Sequence, residues 1–357
     1  MRLCSRTILG AMLPVLAVVL LSCVPQPKKA VVTPTEKKLE PVGSEACAPC
    51  HADIAEKHKS TNHSITLYPA TLSALKKLAP PESEMRYGMM LRREGDKLAV
   101  EVKNPVDGTL EQVPLVLALG SGKTAMTYLI EDGGATTEIS RSYFLREKAW
   151  FITPGQEDSD PTLIGQHHDQ AVTRKCLSCH AVTSPDQPLI PDRKFFGVGC
   201  ESCHGYGSAH IQGAKMQDLK KLDGTEMNEL CGRCHRTTEG ALTMGPSGKD
   251  STNRFQPHGL SLSKCFIKSQ GKLSCVTCHD PHENASLDIP KYERTCIACH
   301  DGSVKTKPVC PVNAKQGCIR CHMPQRDVFP GEPKLPITMP DHFIRIFKNS
   351  ATKTGKN

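Results

Sequence analysis

The chain has 357 residues, enough for one large domain or two ordinary ones, and its formal net charge is +8. Eighteen cysteines indicate a disulfide scaffold, a zinc protein or a cofactor protein. Aromatic residues make up only 4% and Trp150 is the single tryptophan, so something other than aromatic side chains must fill the core. No basic run is interleaved with aromatic residues, so a nucleic-acid partner is not expected.

Residues 1–23 have the pattern of a bacterial lipoprotein signal peptide. Arg2 and Arg6 form its charged start, and residues 8–21 are an apolar stretch too short to span a bilayer. The stretch Leu20-Leu21-Ser22-Cys23 resembles the lipobox, in which the cysteine is lipidated and becomes the new N-terminus. The alternative is an ordinary cleaved signal in which Cys23 occurs by chance.

Residues 24–43 are rich in Pro, Lys and Val without apolar periodicity, which predicts a flexible tether. The residue after Cys23 is Val24 rather than Asp, and the sorting rule of some bacteria then favours the outer membrane. We therefore expect an exported protein that is lipid-anchored at the periplasmic face of a membrane, with the outer membrane favoured over the inner.

A Cys-x-x-Cys-His pentapeptide comes next in the chain and recurs six more times. The seven motifs are Cys47-Cys50-His51, Cys176-Cys179-His180, Cys200-Cys203-His204, Cys231-Cys234-His235, Cys275-Cys278-His279, Cys296-Cys299-His300 and Cys318-Cys321-His322. Two thiols at this spacing reach the two vinyl groups of one porphyrin, and the adjacent histidine binds its iron. Chance would give about 0.04 matches in such a chain, so the motifs predict seven c-type haems.

Zinc is the main rival interpretation, because Cys-x-x-Cys pairs also form zinc ribbons. Zinc sites do not need a histidine after every second cysteine, and thioredoxin-like chemistry needs a βαβ pattern that the sequence lacks. The motifs use 14 of the 18 cysteines. Beyond the leader only Cys265 and Cys310 remain, and they either form a disulfide or stay as free buried thiols.

The uneven spread of the motifs divides the rest of the chain. Residues 44–80 form a first haem segment, in which 65–79 have helical apolar spacing. Residues 81–160 are predicted as an inserted β-rich subdomain, because apolar and charged residues alternate there. Six motifs crowd into a cytochrome core at 161–346, and 347–357 are predicted as a disordered tail. The expected fold is mainly α, with much irregular structure around a stacked multihaem core and a small antiparallel β subdomain.

Eight of the fifteen histidines lie outside the motifs, and bis-histidine ligation of seven irons would need seven of them. This near match favours low-spin haems that transfer electrons. The candidates for distal iron ligands are His63, His168, His210, His258, His282 and His342. Of the adjacent pair His167 and His168 only one is expected to face an iron, and His58 is the weakest candidate.

Several of these segments resemble a known group of multihaem cytochromes. The similar segments are Gly43–Cys47 with Asn62-His63-Ser64, Gly197–Gly205 with His210, Cys278–His282, Cys321–Pro324 and Asp341–Arg345. Over about residues 43–346 the chain resembles relatives of the tetrahaem cytochrome that accepts electrons from hydroxylamine oxidoreductase, in the bacterial branch often fused to tetratricopeptide repeats. The resemblance implies that His63, His210, His282 and His342 are distal ligands. His58 stands where the family usually has Trp, and a family histidine near Pro336 is absent.

Two functions remain open at this point. The first is an electron carrier with mostly bis-histidine haems, working with redox partner proteins or a quinone-linked membrane complex and held at the membrane by a lipid anchor. The second is a multihaem oxidoreductase in which one haem with an open iron position acts on a small nitrogen or sulfur compound. No residue can be assigned a catalytic role from the sequence.

Overall fold

The computed structural model describes residues 38–104, 106–160, 162–245, 250–303, 308–329 and 334–347. The predicted leader 1–23 with its lipidation site Cys23, most of the predicted tether 24–43 and nearly all of the predicted tail 347–357 lie outside these ranges. Within the described ranges, no helix is both long enough and apolar enough to cross a membrane.

Thirteen strands occur in this part of the chain. They are β1 (Leu67–Pro69), β2 (Ser83–Arg86), β3 (Met89–Glu94), β4 (Lys97–Lys103), β5 (Leu110–Pro114), β6 (Leu117–Leu119), β7 (Ala125–Asp132), β8 (Ala135–Ile139), β9 (Arg141–Phe144), β10 (Ala149–Ile152), β11 (Gly165–His168), β12 (Gln325–Asp327) and β13 (Thr338–Pro340).

The α-helices of the described ranges are short, and most of them carry or flank a haem motif. They are α1 (Ala52–Lys59), α2 (Leu72–Leu75), α3 (Gln170–Leu177), α4 (Cys200–His204), α5 (Gly224–His235), α6 (Thr238–Leu242), α7 (Gln256–Ser261), α8 (Lys264–Ser269), α9 (Cys275–Cys278), α10 (Ile289–His300) and α11 (Cys318–His322). Single turns of 3₁₀ helix lie at Ser44–Ala46, Lys76–Leu78, Arg193–Phe195, His210–Gln212 and Leu219–Lys221.

The strands form three antiparallel sheets. A four-stranded sheet has the order β2-β3-β4-β5, and a seven-stranded sheet has the order β1-β6-β7-β8-β11, with β9 beside β7 and β10 beside β9. The pair β12 and β13 forms a separate hairpin near the C-terminus. Gly133 and Gly134 both have positive φ, 56° and 90°, at the two-residue turn between β7 and β8, where the right-handed twist of the strands requires such a turn.

The apolar core belongs mainly to the β region. Leu98 and Val100 of β4 are fully buried, as are Met126 and Tyr128 of β7, in one cluster that also takes in Leu75. The apolar residues of the alternating pattern that predicts these strands are therefore the ones that face the core. A second cluster joins Phe144 of β9 to Val328, Leu335 and Ile337, so the C-terminal hairpin region packs on the sheet.

The prediction of a mainly α fold is not supported, because the protein is mixed α and β. Strand β1 precedes the predicted 81–160 boundary and β11 follows it, yet both belong to the seven-stranded sheet. The sheet recruits them through pairing with β6 and β8, which are distant in sequence and leave no local pattern. The predicted antiparallel β subdomain is present and extends on both sides.

The predicted helix at 65–79 is only partly formed. Leu67–Pro69 is strand β1, in which Leu67 pairs with Leu119, and helical turns occupy only Leu72–Leu75 and Lys76–Leu78. Pro69 fixes an extended backbone for the residue before it, which favours a strand at this point. The leucines that fit helical spacing from 72 onward do lie on helical turns.

Replacing Gly197 with alanine is expected to lower the free energy of unfolding by about 2–3 kcal/mol. Gly197 has φ +86°, and a Cβ there would overlap the carbonyl of Ser64, next to candidate ligand His63. Gly88, with φ +77° and no atom within 4 Å of an added Cβ, is the control for the backbone cost alone. Denaturant titration of both variants measures the difference, and equal losses would contradict the steric argument.

Candidate haem-binding sites

Each motif lies on, or at the end of, a short helical segment. Motifs four and six end helices α5 and α10, and motifs three, five and seven lie on α4, α9 and α11. The second motif begins in the last turn of α3, and the first forms a turn before α1. One helical turn places residues i and i+3 on the same face, so both thiols of a motif point to one edge of a porphyrin. We number the sites one to seven in chain order of the motifs.

Four motif histidines each face a second histidine. The ring centroids are 6.3 Å apart for His51 and His210, 6.0 Å for His235 and His63, 6.3 Å for His204 and His282, and 6.4 Å for His279 and His342. Two imidazoles on one metal have centroids about 6 Å apart, which is twice a metal–nitrogen distance of about 2 Å plus two ring radii. The first, third, fourth and fifth sites therefore fit a bis-histidine iron.

The distal histidines of these sites are also oriented by hydrogen bonds at Nδ1. His210 Nδ1 lies 2.9 Å from the Ala214 carbonyl, and His342 Nδ1 lies 3.0 Å from the Pro340 carbonyl. His282 Nδ1 lies 3.3 Å from the Asp280 carboxylate. A partner at one ring nitrogen fixes the tautomer and turns the other nitrogen toward a metal.

The loops that carry two of the distal histidines are joined to each other. The Asn62 amide donates to Asn284 Oδ1 at 2.8 Å, and Asn284 Nδ2 donates to the Ser60 carbonyl at 3.2 Å. Lys57 and Glu283 add an ion pair of 2.9 Å. His63 and His282 therefore have one shared support, although they are far apart in sequence and face different motifs.

The remaining motif histidines are His180, His300 and His322. Their Nδ1 atoms lie 3.1, 2.7 and 3.0 Å from the carbonyls of Thr66, Pro308 and Arg345, which orients Nε2 as in the other sites. All fifteen histidines of the chain fall within the described ranges, and none of their ring contacts pairs these three with another histidine.

The other histidines considered as ligands lie elsewhere. His168 is on β11 with Nε2 3.7 Å from the Glu138 carboxylate, and His167 beside it is exposed. His258 on α7 is buried, with Nδ1 3.2 Å from the Thr238 hydroxyl. His58 is half-buried near His63 and His282 and bonds to the Val198 carbonyl. The assignment of His168 and His258 as distal ligands stays a prediction.

Burial keeps several of the paired imidazoles neutral. Loss of hydration lowers the pKa of His235 and of His63, and it lowers the pKa of His342 to about 4. The pKa of His180 is lowered for the same reason. Neutral imidazole is the form that binds a metal, so these histidines are ready to act as ligands at physiological pH.

The motifs lie next to one another in space. The thiols of Cys47 and Cys200 are neighbours, as are those of Cys179 and Cys234 and those of Cys231 and Cys275. Cys203 lies within electrostatic reach of Cys231, and Cys296 lies within reach of both Cys278 and Cys318. The sites thus follow one another in the order one, three, four, five, six and seven, with the second site beside the fourth.

The polypeptide around the motifs leaves apolar side chains for a cofactor to cover. Ile211, Ile267, Leu287 and Val312 are each at least 60% exposed, and all four lie between the third and seventh motifs. A cavity of about 760 Å³ adjoins His210 and is lined in part by Lys215, Met216 and Lys221. The β region buries its own apolar side chains, whereas the helical region leaves apolar side chains exposed. Bound haem would cover these side chains and serve as the core of the helical region.

Cys265 and Cys310 are free thiols in this structure, so it does not contain the disulfide considered for them. Cys265 lies near Cys278, Cys296 and Cys299 of the fifth and sixth motifs. Cys310 lies near Cys318 and accepts a hydrogen bond from the Asn313 amide at 3.4 Å. The two thiols therefore have separate surroundings.

Sequence reasoning missed three buried carboxylates that join the sites. Glu201 accepts hydrogen bonds from three backbone amides beside the first site, and Glu293 accepts from the Gly317 and Ile319 amides at the start of the seventh motif. Asp341 adjoins the distal ligand His342 and is fully buried. Only Glu201 could have been noticed from the sequence, because it stands between the two cysteines of a motif, where its charge would lie near a bound porphyrin.

Comparison with known proteins finds a partial family match and two similar structures. A family model described as cytochrome c554 and c-prime matches residues 152–205, which include the second and third motifs. No curated protein matches. The chain is similar to the outer cell wall cytochrome OcwA, with 16% identity and a TM-score of 0.51, covering 85% of this chain and 79% of that one.

A second similar structure is an undecahaem cytochrome from the S-layer of Carboxydothermus ferrireducens. The identity is 15% and the TM-score 0.44, over 87% of this chain and 53% of that chain, so the protein spans about half the length of that cytochrome.

The seven motifs and the facing histidine pairs are features of a multihaem c-type cytochrome, and the likeness to OcwA concerns the fold. The more specific likeness, to the cytochrome c554 family, is limited to residues 152–205. The likeness to the partner of hydroxylamine oxidoreductase stays a prediction.

Proposed function

We propose that the protein is a heptahaem c-type cytochrome that carries electrons through closely spaced, mostly bis-histidine haems at the periplasmic face of a membrane. The observation that carries this proposal is the set of four histidine pairs with centroids 6.0–6.4 Å apart. Haem supplies an iron that gains and loses one electron, and two nitrogen ligands keep that iron low-spin and closed to substrates.

The chain's own residues determine what this arrangement can do. The motif thiols would hold the haems covalently, and the thiols of different motifs lie next to one another, which would keep the haems close. The backbone carbonyls at Nδ1 hold the imidazoles in register. The lipobox at Cys23 and the tether up to residue 43 support attachment to the membrane, with the outer membrane favoured. A redox partner protein or a quinone-linked complex would then supply or accept the electrons.

A second function is favoured by one observation. Within the described ranges, which include all fifteen histidines, no second histidine ring faces His180, His300 or His322. An iron bound at one of them would then keep a position for a small molecule. In that case the protein is an oxidoreductase acting on a small nitrogen or sulfur compound. His168 and His258 remain the candidates that would close such positions.

Carbon monoxide titration of the dithionite-reduced protein decides between these functions, with an electron paramagnetic resonance spectrum of the oxidised protein alongside. We expect that at most three of seven haems bind carbon monoxide, since four sites have facing histidines. Binding by more than three would refute the pairs as ligands. No binding would identify an electron carrier, and one to three with matching high-spin signals would favour the enzyme.

A further inference from the structure

Glu201 is a buried carboxylate inside the third motif, and it bonds to parts of the first site. It is 5% exposed, and its oxygens accept hydrogen bonds from the amides of Val42 at 2.9 Å, Gly43 at 2.8 Å and Gly207 at 2.7 Å. None of the ion pairs formed within the described ranges includes Glu201. Backbone dipoles, rather than a cation, therefore stabilise its charge.

Two of these amides and Glu201 itself each lie in a segment that leads to a candidate iron ligand. Gly43 precedes the turn that begins the first motif, with His51 at its end, and Gly207 precedes His210, which faces His51. Glu201 itself is on α4, one turn before His204 of the third site. One carboxylate thus binds the segments that lead into both ligands of the first site, and it lies in the same helix as the motif ligand of the third.

Nearby thiols are affected by this charge. Burial is the largest cause that raises the pKa of Cys47 to about 11, the contact with Cys200 adds to it, and the charge of Glu201 adds further. The charge of Glu201 therefore influences the first motif through Cys47 as well as the third motif, to which Glu201 belongs. A charge in such a buried position is screened much less than one in water.

We propose that Glu201 is a positioning residue whose fixed negative charge holds the haems of the first and third sites toward the oxidised state. This inference rests on the proposed function, because it concerns haems bound at those motifs. Reduction adds one electron to each ferric iron and changes no bond, and in the experiment below dithionite supplies that electron. A buried anion opposes the added negative charge and so lowers the reduction potential.

A second buried carboxylate, Glu293, is likewise shared by two neighbouring sites, the sixth and the seventh. Glu293 on α10 of the sixth site is 7% exposed and accepts from the amides of Gly317 at 3.0 Å and Ile319 at 3.2 Å. Burial is the main cause that raises the pKa of Cys318 and of Cys296, and the charge of Glu293 adds to both shifts, least to that of Cys296. The sixth and seventh sites thus share a carboxylate as the first and third do.

Spectroelectrochemical titration of the full-length holoprotein tests the proposal with three variants. For Glu201→Gln, we expect about two sevenths of the haem absorbance change to move to higher potential, by roughly a tenfold change in the oxidised-to-reduced ratio, which is 59 mV for one electron. Glu201→Asp keeps the charge, so it should raise the reduction potential of these haems by less than half as much. Glu45→Gln removes an exposed charge two residues before Cys47, and the reduction potentials should stay unchanged in this variant.

An unchanged titration of Glu201→Gln would overturn the proposal, and so would equal shifts in the Gln and Asp variants, since position rather than charge would then be the cause. If Glu201→Gln does not yield holoprotein, Glu293→Gln makes the same test at the sixth and seventh sites. Haem content and spin state of the unmodified protein test the proposed function separately, whereas only the differences between variants test Glu201.

Discussion

Replacing His282 with alanine will open one iron of the protein without removing its haem. The His282 ring lies parallel to that of His204, with centroids 6.3 Å apart and planes within 13°. Its removal leaves the thioether bonds at Cys200 and Cys203 and the motif ligand in place. One iron then loses its sixth ligand, and a five-coordinate iron becomes high-spin and binds carbon monoxide.

The expected result is one additional carbon monoxide per protein, or about one seventh of the haem absorbance, and one additional high-spin signal. His167→Ala is the matched control, because His167 is exposed on β11 and contacts no motif histidine ring in the described part of the chain. It should leave both measurements unchanged. An unaltered His282→Ala spectrum would show that the pairing of His204 and His282 does not represent ligation.

Replacing Asp341 with asparagine will destabilise the protein and disturb two sites together. The buried carboxylate accepts from the Thr252 hydroxyl at 2.6 Å, Arg326 at 2.9 Å and Arg345 at 3.4 Å. Next to it, His342 faces His279 of the fifth site, and the Arg345 carbonyl orients His322 of the seventh site. The asparagine leaves two arginines without their anion, and the free energy of unfolding should fall by about 3 kcal/mol.

Denaturant unfolding measures this loss, and the low-spin signal of the fifth site should weaken with it. Asp327→Asn is the control, because Asp327 forms a 3.1 Å ion pair with the 64% exposed Lys334. Such a surface pair contributes about 0.5 kcal/mol or less. Similar losses in the two variants would mean that burial of Asp341 has no special importance.

The same residue predicts a dependence of stability on pH. Burial alone would raise the pKa of Asp341, but the hydrogen bonds from Thr252 and Arg326 outweigh burial and lower the pKa below its ordinary 3.8. A carboxyl with a lowered folded pKa stabilises the protein above the unfolded pKa and loses that contribution as pH falls through the folded value. The difference in stability between Asp341→Asn and the unmodified protein should therefore vanish in strong acid.

The two cysteines and the histidine of each site could be predicted from the sequence, because their spacing within the motif is enough to define their local geometry. It also indicated His63, His210, His282 and His342 as distal candidates, and these four face motif histidines. Which motif each one faces could not be read from spacing. His63 faces His235 of the fourth motif, far along the chain, because packing of loops rather than local pattern sets that pairing.

The β region shows the same limit. Alternation predicted β4 and β7, whose residues Leu98, Val100 and Tyr128 are buried. Strand β1 and strand β11 were missed because each is too short for a periodic pattern and exists only through its partner in the sheet. Glu201 and Glu293 were missed for a related reason, since their partners are backbone amides that any sequence supplies.

The contacts between thiols of different motifs limit the order of events during biogenesis. In the folded polypeptide Cys47 adjoins Cys200, Cys179 adjoins Cys234 and Cys231 adjoins Cys275. In an oxidising compartment a disulfide-carrying oxidant would take two electrons from such a pair of thiols and leave a disulfide, which would cross-link one motif to another and block both. Thioether formation removes these thiols from that chemistry. We therefore expect the chain to receive its haems before these motifs are brought together by folding.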